Sequence, residues 1–402
     1  MSNSSPPPDV AIVGAGLAGL AAAAFVARAG HSVAVYERHA EPGGFARSTT
    51  RDGFTFNQGP HALYRGGAAE RVLTDLGVAI DGGQPPTKGT LVLAGRPELA
   101  PGGALSLLQT KALGWREKAA IGSLMARLPR MKATSLAGTS VTEWIADATP
   151  TDRAADLAHA LVRLATYVHD PTTLSAEVAV RQLQVALGPG VLYLHGGWQS
   201  LVDQLRHRPG IDVRSGTAID TLPDAAAVIV AVGGPSATGA LLNRSFETGP
   251  AATASCLDFG LSRAPRVNFA LGGDVPFYFS NHSAAADLAE PGTFHAAAVQ
   301  YLGPDDEPDP DAIAAFARLV AVDADAILTS RKLHRMTTVT AIPTADQGGL
   351  AGRPGVADTG LDNVFMAGDW VGPTGHLTDA VLASAEVAAQ ASIAAVERQR
   401  RG

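Results

Sequence analysis

The chain has 402 residues, of which 46% are hydrophobic and 17% charged, with a formal net charge of −7 at pH 7. This length predicts two domains rather than one core, and the negative charge argues against nucleic acid as a general partner. The single cysteine, Cys256, excludes a disulfide framework and a cysteine-based metal site, so we predict a reducing, cytoplasmic location and no bound metal.

The stretch from Asp9 to Glu37 reads as a strand, a glycine-rich turn, a helix and a second strand. The apolar run Val10–Val13 is typical of a buried parallel strand, and an Ala-rich helix reaches Ala29. Glycines at such a turn permit a tight bend and the approach of a pyrophosphate, and the later carboxylate takes the ribose hydroxyls. The spacing predicts a dinucleotide site formed by Gly14, Gly16, Leu17, Ala18, Gly19 and Glu37.

Two other interpretations of this stretch are weaker. Residues 10–27 form an uncharged run of membrane-spanning length, but their Ala and Gly content makes them only weakly hydrophobic. A signal peptide would need a basic segment in front of the apolar run, whereas Met1–Pro8 is a Ser/Pro tail without Lys or Arg. We therefore keep the dinucleotide site.

A double glycine, Gly43-Gly44, and a Gly59-Pro60 corner follow Glu37, and the double glycine lets the backbone pass close to an extended cofactor. These motifs resemble the flavoprotein superfamily that includes phytoene desaturases, monoamine oxidases and protoporphyrinogen oxidase. The chain differs at Phe45, where the family commonly has Arg, so Arg47 is the candidate for the phosphate-facing role. The resemblance implies cofactor contacts from Arg38, Gly43, Gly44, Phe45, Ala46, Arg47, Gly59, Pro60 and His61.

The end of the chain carries a strand, a Gly-Asp turn and a long Ala-rich helix from about Asp379 to Val396. This pattern resembles the family's C-terminal flavin motif, in which Asp369 would bind the ribityl hydroxyls and the helix start would face the flavin N1/O2 edge. The resemblance implies contacts from Gly368, Asp369, His376, Leu377 and Thr378. It also places Val213 and Gly233 beside the adenosine, and both positions suit plain sheet core as well.

The segments between these motifs predict a second domain. Residues 82–103 are rich in Gly and Pro and indicate a domain crossing, residues 115–187 indicate helices, and residues 254–340 alternate as an antiparallel sheet does. Residues 115–132 combine apolar side chains with five basic ones. This segment either packs on the substrate domain, which we favour, or makes a peripheral contact with membrane lipid.

We therefore predict an α/β fold, in which a Rossmann-like FAD-binding domain of the GR2 type is interleaved with an α+β substrate domain. The substrate domain contains an antiparallel sheet and a helical region. The FAD-binding domain comprises residues 1–84, 191–253 and 341–402, and the substrate domain comprises residues 85–190 and 254–340.

The resemblance implies an FAD-dependent oxidoreductase, phytoene dehydrogenase-like, that moves hydride from an apolar small-molecule substrate to flavin N5. The FAD is expected to be noncovalent, because Cys256 is far in sequence from the C-terminal motif. His61 and His376 are the candidate catalytic residues, and either also suits a plain pocket-lining role. The alternatives are an amine oxidase, a redox-neutral flavin isomerase and a flavin-free prenyl-binding protein. An amine oxidase would need an aromatic cage around the substrate amine, and an aromatic content of only 5% gives little support for one.

Overall fold

A computed structural model describes residues 6–402, so most of the predicted Ser/Pro tail lies outside the described residues. The first layer is a five-stranded parallel sheet whose central strand is buried along its whole length, as expected where helices cover both faces. In spatial order its strands are Ile211–Arg214, Val33–Tyr36, Val10–Val13, Ala227–Val230 and Val364–Met366.

Five helices belong to the same part of the chain: Leu17–Arg28, Ala68–Asp75, Gln199–Arg206, Gly234–Leu242 and Thr378–Arg401. The first packs closely on the last, since both present small Ala side chains to the core. Gly30, at a φ of 84°, ends the first helix as predicted. The last helix is long and apolar enough to cross a membrane, but 61% of its most apolar window is buried within the protein, as in a core helix.

The second layer is a seven-stranded sheet, antiparallel except where Thr90–Leu93 pairs in parallel with Phe269–Gly272. In spatial order its strands are Ile327–Val339, Ala252–Leu261, Phe294–Leu302, Phe277–Asn281, Phe269–Gly272, Thr90–Leu93 and Arg96–Leu99. Residues 82–103 are thus more than a crossing, because they supply two strands at one edge. The helix Pro310–Val320 packs on this sheet.

The predicted helical region, residues 115–187, contains the helices Trp115–Arg127, Val141–Ala148, Asp152–Thr166 and Ala176–Leu187, and an unpredicted helix, Ala104–Gln109, precedes it. Ser140 and Glu143 form a reciprocal capping box at one helix start, and Ser175 caps another. Two smaller sheets join the layers, the hairpin Ser48–Arg51 with Phe54–Asn57 and the trio Leu63–Tyr64, Val191–Leu194 and Gly82–Gly83.

The predicted domain limits stay a prediction. Each sheet draws its strands from only one of the two predicted domains, with a single overlap. Ala252 and Thr253, assigned to the FAD-binding domain, begin a strand of the substrate sheet.

Candidate functional site

The glycine turn at residues 14–19 forms a concave backbone surface, the glycine cradle, at the carboxyl edge of the parallel sheet. Gly14 has a φ of 104°, and a Cβ on Gly19 would lie 1.9 Å from the Gly14 carbonyl oxygen, so both glycines serve the packing of the chain itself. A Cβ on Gly16 would instead meet only the Gly43 carbonyl oxygen, 4.0 Å away. The backbone of Gly16 therefore borders open space at a helix N-terminus, where a phosphate fits. Leu17 and Ala18 form the first turn of that helix.

The double glycine lies directly against this turn. The Gly43 N–H donates to the Ala15 carbonyl oxygen over 2.8 Å, and a Cβ on Gly44 would lie 3.5 Å from the Gly16 Cα. Gly43 and Gly44 have φ values of 131° and 55°, which residues with side chains rarely adopt. Two motifs that are separate in sequence thus line one cradle.

Glu37 is buried beside the cradle and holds its backbone. Its Oε2 accepts from the Ala15 N–H and its Oε1 from the His39 N–H, each over 2.9 Å. Each carboxylate oxygen keeps a further lone pair, so ribose hydroxyls can donate to the same group.

Of the predicted phosphate contacts, Arg47 fits best. Its buried Nε has no hydrogen-bond partner among residues 6–402, and its Cα lies 3.2 Å from where a Cβ on Gly43 would be. A buried donor without an acceptor is costly unless a ligand supplies one. Arg38 is exposed and donates to the His39 ring, Phe45 is also exposed, and Ala46 is buried.

The remaining adenosine contacts were predicted at the same edge of the sheet. All five strands are parallel, so Gly14, Glu37, Gly233 and Gly368 follow strand ends on one side. Gly233 is exposed there, while Val213 is half-buried in the edge strand, next to Val35.

The start of the C-terminal helix presents backbone donors that nothing in the described chain satisfies. Leu377, just before the helix, has a φ of 52° and a ψ of −132°, a strained conformation of the kind that recurs at ligand sites. Neither its N–H nor that of Thr378 has an acceptor within residues 6–402. These donors and the positive end of the helix dipole fit the negative edge of a reduced flavin.

Asp369 is tied to the point where the chain returns from the substrate sheet. The N–H and the hydroxyl of Thr340 donate to its two carboxylate oxygens, and burial raises the pKa of Asp369. The Gly368 N–H donates to Ser384 Oγ over 3.0 Å. A ribityl contact by Asp369 would therefore use the remaining lone pairs.

His376 joins the two domains. Its Nε2 donates to the Thr166 carbonyl oxygen over 2.9 Å, at the end of the helix Asp152–Thr166, and burial lowers the pKa of His376 to about 4. A neutral ring fixed in this way acts as a positioning residue for the strained turn at Leu377. His61 follows the Gly59-Pro60 corner, where its Nδ1 bonds the Gly59 carbonyl oxygen and its ring lies 5.2 Å from that of Trp198. Burial lowers the pKa of His61 as well.

Sequence reasoning missed a cluster of tyrosines beside His376. The Tyr64 hydroxyl donates to the carbonyl oxygen of Ala165, one residue before the partner of His376. The rings of Tyr167 and Tyr301 lie 6.3 Å apart, and the hydroxyls of Tyr193 and Tyr278 lie 3.0 Å apart. The tyrosine cluster is Tyr64, Tyr167, Tyr193, Tyr278 and Tyr301, five of the six tyrosines in the chain. The overall aromatic content gave no sign of the cluster, because residues far apart in sequence come together only in the folded chain.

The titratable groups of this region are held neutral or are paired. Burial raises the pKa of all five tyrosines. The nearby carboxylate of Asp258, on the sheet beside the cluster, accepts from Arg331 Nη2 over 2.6 Å and lies 3.5 Å from His295 Nε2. The region around the cluster is therefore aromatic and almost free of unpaired charge.

Residues 12–76 match the family model described as the NAD(P)-binding Rossmann-like domain. A shorter stretch of 51 residues is 47% identical to a 4,4'-diapophytoene desaturase of Staphylococcus aureus, which is 13% of this chain. The match spans only about a tenth of the length of that curated relative.

Solved structures resemble nearly the whole chain. A putrescine oxidase bound to putrescine covers 96% of it with a TM-score of 0.72 and 15% identity, over 99% of its own chain. Cyclohexylamine oxidase from Brevibacterium oxydans covers 98% with a TM-score of 0.69 and 15% identity, over 100% of its own chain.

The chain thus contains a Rossmann-like domain of the NAD(P)-binding type and has the fold of putrescine oxidase and cyclohexylamine oxidase. The predicted α/β fold class and the predicted resemblance to the superfamily of desaturases and amine oxidases are both confirmed.

Proposed function

We propose that the protein is an FAD-dependent oxidoreductase that removes hydride from a C–H bond of an uncharged, largely apolar substrate. The proposal of FAD rests on two groups of unsatisfied donors, Arg47 at the glycine cradle and the N–H groups of Leu377 and Thr378 at the second helix start. FAD would satisfy both groups, because its central pyrophosphate accepts hydrogen bonds and the N1/O2 edge of its flavin ring accepts them as well.

The observation that carries the choice of substrate is the neutrality of the tyrosine cluster. Its phenols are uncharged near pH 7, burial lowers the pKa of His61 and of His376, and Asp258 is paired with Arg331. No described group of the cluster offers a free charge to an ionic substrate, so recognition would rest on apolar and aromatic contact.

When bound, the flavin supplies the hydride acceptor. The chain's own residues would supply orientation and electrostatics: the N–H groups of Leu377 and Thr378 would hold the acceptor edge of the flavin ring, and His376 fixes that turn to the substrate domain. The tyrosine cluster excludes water and holds the substrate. We propose noncovalent binding, because Cys256 is fully buried and burial raises the pKa of its thiol well above the usual range, so thiolate is scarce.

The experiment is anaerobic mixing of the flavin-loaded protein with uncharged polyenes, small cyclic alkenes and primary amines, followed by absorbance. Bleaching by the uncharged compounds supports the proposal. Bleaching by amines alone would overturn the substrate class. Acid precipitation that leaves flavin on the protein would overturn noncovalent binding.

An amine oxidase is the second candidate, and the tyrosine cluster is the observation in its favour. Aromatic ring faces attract an alkylammonium cation without the help of a carboxylate, and putrescine oxidase and cyclohexylamine oxidase share the fold. Peroxide formed with an amine, and none with a polyene, would distinguish it.

A further inference from the structure

An apolar patch lies on the outer side of the helix pair Ala104–Gln109 and Trp115–Arg127. Leu105, Leu108 and Trp115 are 67%, 71% and 76% exposed, more than any other large hydrophobic side chain among residues 6–402. Burying such groups is favourable, so a patch of this kind marks a contact with something outside the chain.

The inner side of the helix Trp115–Arg127 is firmly packed, whereas no residue of the helix Ala104–Gln109 is buried. Ile121, Leu124 and Leu128 are each 2% exposed. For these side chains the favoured interpretation of residues 115–132, a helix packed on the substrate domain, fits. Lys118 Nζ donates to the Leu108 carbonyl oxygen over 2.8 Å and fixes the two helices to each other. The Trp115 side of the apolar patch is therefore held in place by core packing, and the Leu108 side by this hydrogen bond.

Positive charge is concentrated in the segment of the chain that carries the patch. Residues 88–132 carry eight Lys or Arg and two Glu in a chain whose net charge is −7. Within residues 6–402 none of these eight cations lies within 4.0 Å of an acidic side chain, whereas 13 of the other 23 do. The eight are Lys88, Arg96, Lys111, Arg116, Lys118, Arg127, Arg130 and Lys132.

We propose that this face docks on an anionic lipid bilayer. Leu105, Leu108 and Trp115 enter the interfacial layer, where an indole is particularly stable, and the cations of residues 88–132 bind the lipid headgroups. An acidic protein is otherwise repelled by such a surface, so the basic face also sets the orientation. The inference is independent of the proposed redox chemistry.

The test is cosedimentation of the full chain with vesicles of phosphatidylcholine alone or mixed with phosphatidylglycerol. We expect binding to the mixed vesicles, at least tenfold weaker binding to phosphatidylcholine alone, and release at about 0.5 M salt, where surface charges are screened. The double variant Leu108→Ser/Trp115→Ser should bind at least tenfold more weakly.

The matched control is Leu187→Ser/Leu328→Ser, which removes two exposed leucines (57% and 58%) from other surfaces and should bind as the wild type does. All four side chains are exposed, so equal melting temperatures check that both variants fold. The proposal would be overturned if the wild-type protein did not bind the mixed vesicles, or if the control variant lost as much vesicle binding as Leu108→Ser/Trp115→Ser. It would also be overturned by sedimentation equilibrium showing a dimer that Trp115→Ser dissociates, because the patch would then bind a second copy.

Discussion

The cradle at the parallel sheet and the tyrosine cluster at the antiparallel sheet use opposite chemistry. Within residues 6–402, Arg47 at the cradle and the N–H groups of Leu377 and Thr378 at the C-terminal helix start are donors without acceptors. The tyrosine cluster presents phenols, which are uncharged near pH 7, and burial raises their pKa further. In the proposed function, charge recognition would be concentrated on the cofactor, and the substrate would be recognised by shape and aromatic contact. Variants that damage one region should spare the other.

The largest effect is expected at Gly16. It has a φ of −76°, which any residue accepts, and its missing Cβ borders open space, so Gly16→Val should fold but fill the cradle. We expect at least a tenfold weaker affinity for added FAD, measured by fluorescence titration, with an apoprotein melting temperature close to that of the wild-type apoprotein. Gly138→Val is the matched control, since its Cβ also meets open space, far from the cradle in sequence. Normal flavin content in Gly16→Val would contradict the assignment of the cradle as part of the FAD site.

Glu37→Ala should damage the same region through the backbone. Removal of the carboxylate leaves the buried N–H group of Ala15 without an acceptor, while that of the exposed His39 can turn to water, which costs about 2 kcal/mol of unfolding free energy in the apoprotein. Urea unfolding measures the loss, and Glu37→Gln, which keeps one acceptor, should lose less. Equal stability of Glu37→Ala and wild type would contradict this role for the carboxylate.

His376 links the two regions and should make stability depend on pH. Its folded pKa of about 4 lies below the ordinary value of about 6.5, so the unfolded chain binds more protons between these limits and acid destabilises the fold. We expect His376 to cost about 3 kcal/mol at pH 4 relative to pH 7. In His376→Asn the loss of stability between these pH values should be smaller by that amount. Identical pH profiles of the two proteins would show that the ring is not held neutral.

The smallest effect is expected in the tyrosine cluster. Tyr64→Phe removes the hydrogen bond to the Ala165 carbonyl oxygen, which contributes about 1 kcal/mol. FAD affinity should stay at the wild-type value, whereas the KM for substrate should change. A loss of flavin from Tyr64→Phe would mean that the two regions are not separable.

The two regions also differ in how far sequence predicts them. Gly14, Gly16 and Glu37 lie in one short stretch, and local rules for a strand, turn and helix place them correctly at one sheet edge. The tyrosine cluster draws on five distant segments, so periodicity and composition could not reveal it. The strands within residues 82–103 escaped prediction for a related reason: Gly and Pro mark turns, and pairing with the distant strand Phe269–Gly272 overrides that signal.

The central claim is that the cradle and the C-terminal helix start together hold FAD. The most direct test is the absorption spectrum of the purified protein after incubation with FAD and removal of the excess. The account predicts the two visible bands of oxidised flavin in the wild type and their loss in Gly16→Val. A wild-type protein that stays colourless would contradict the account.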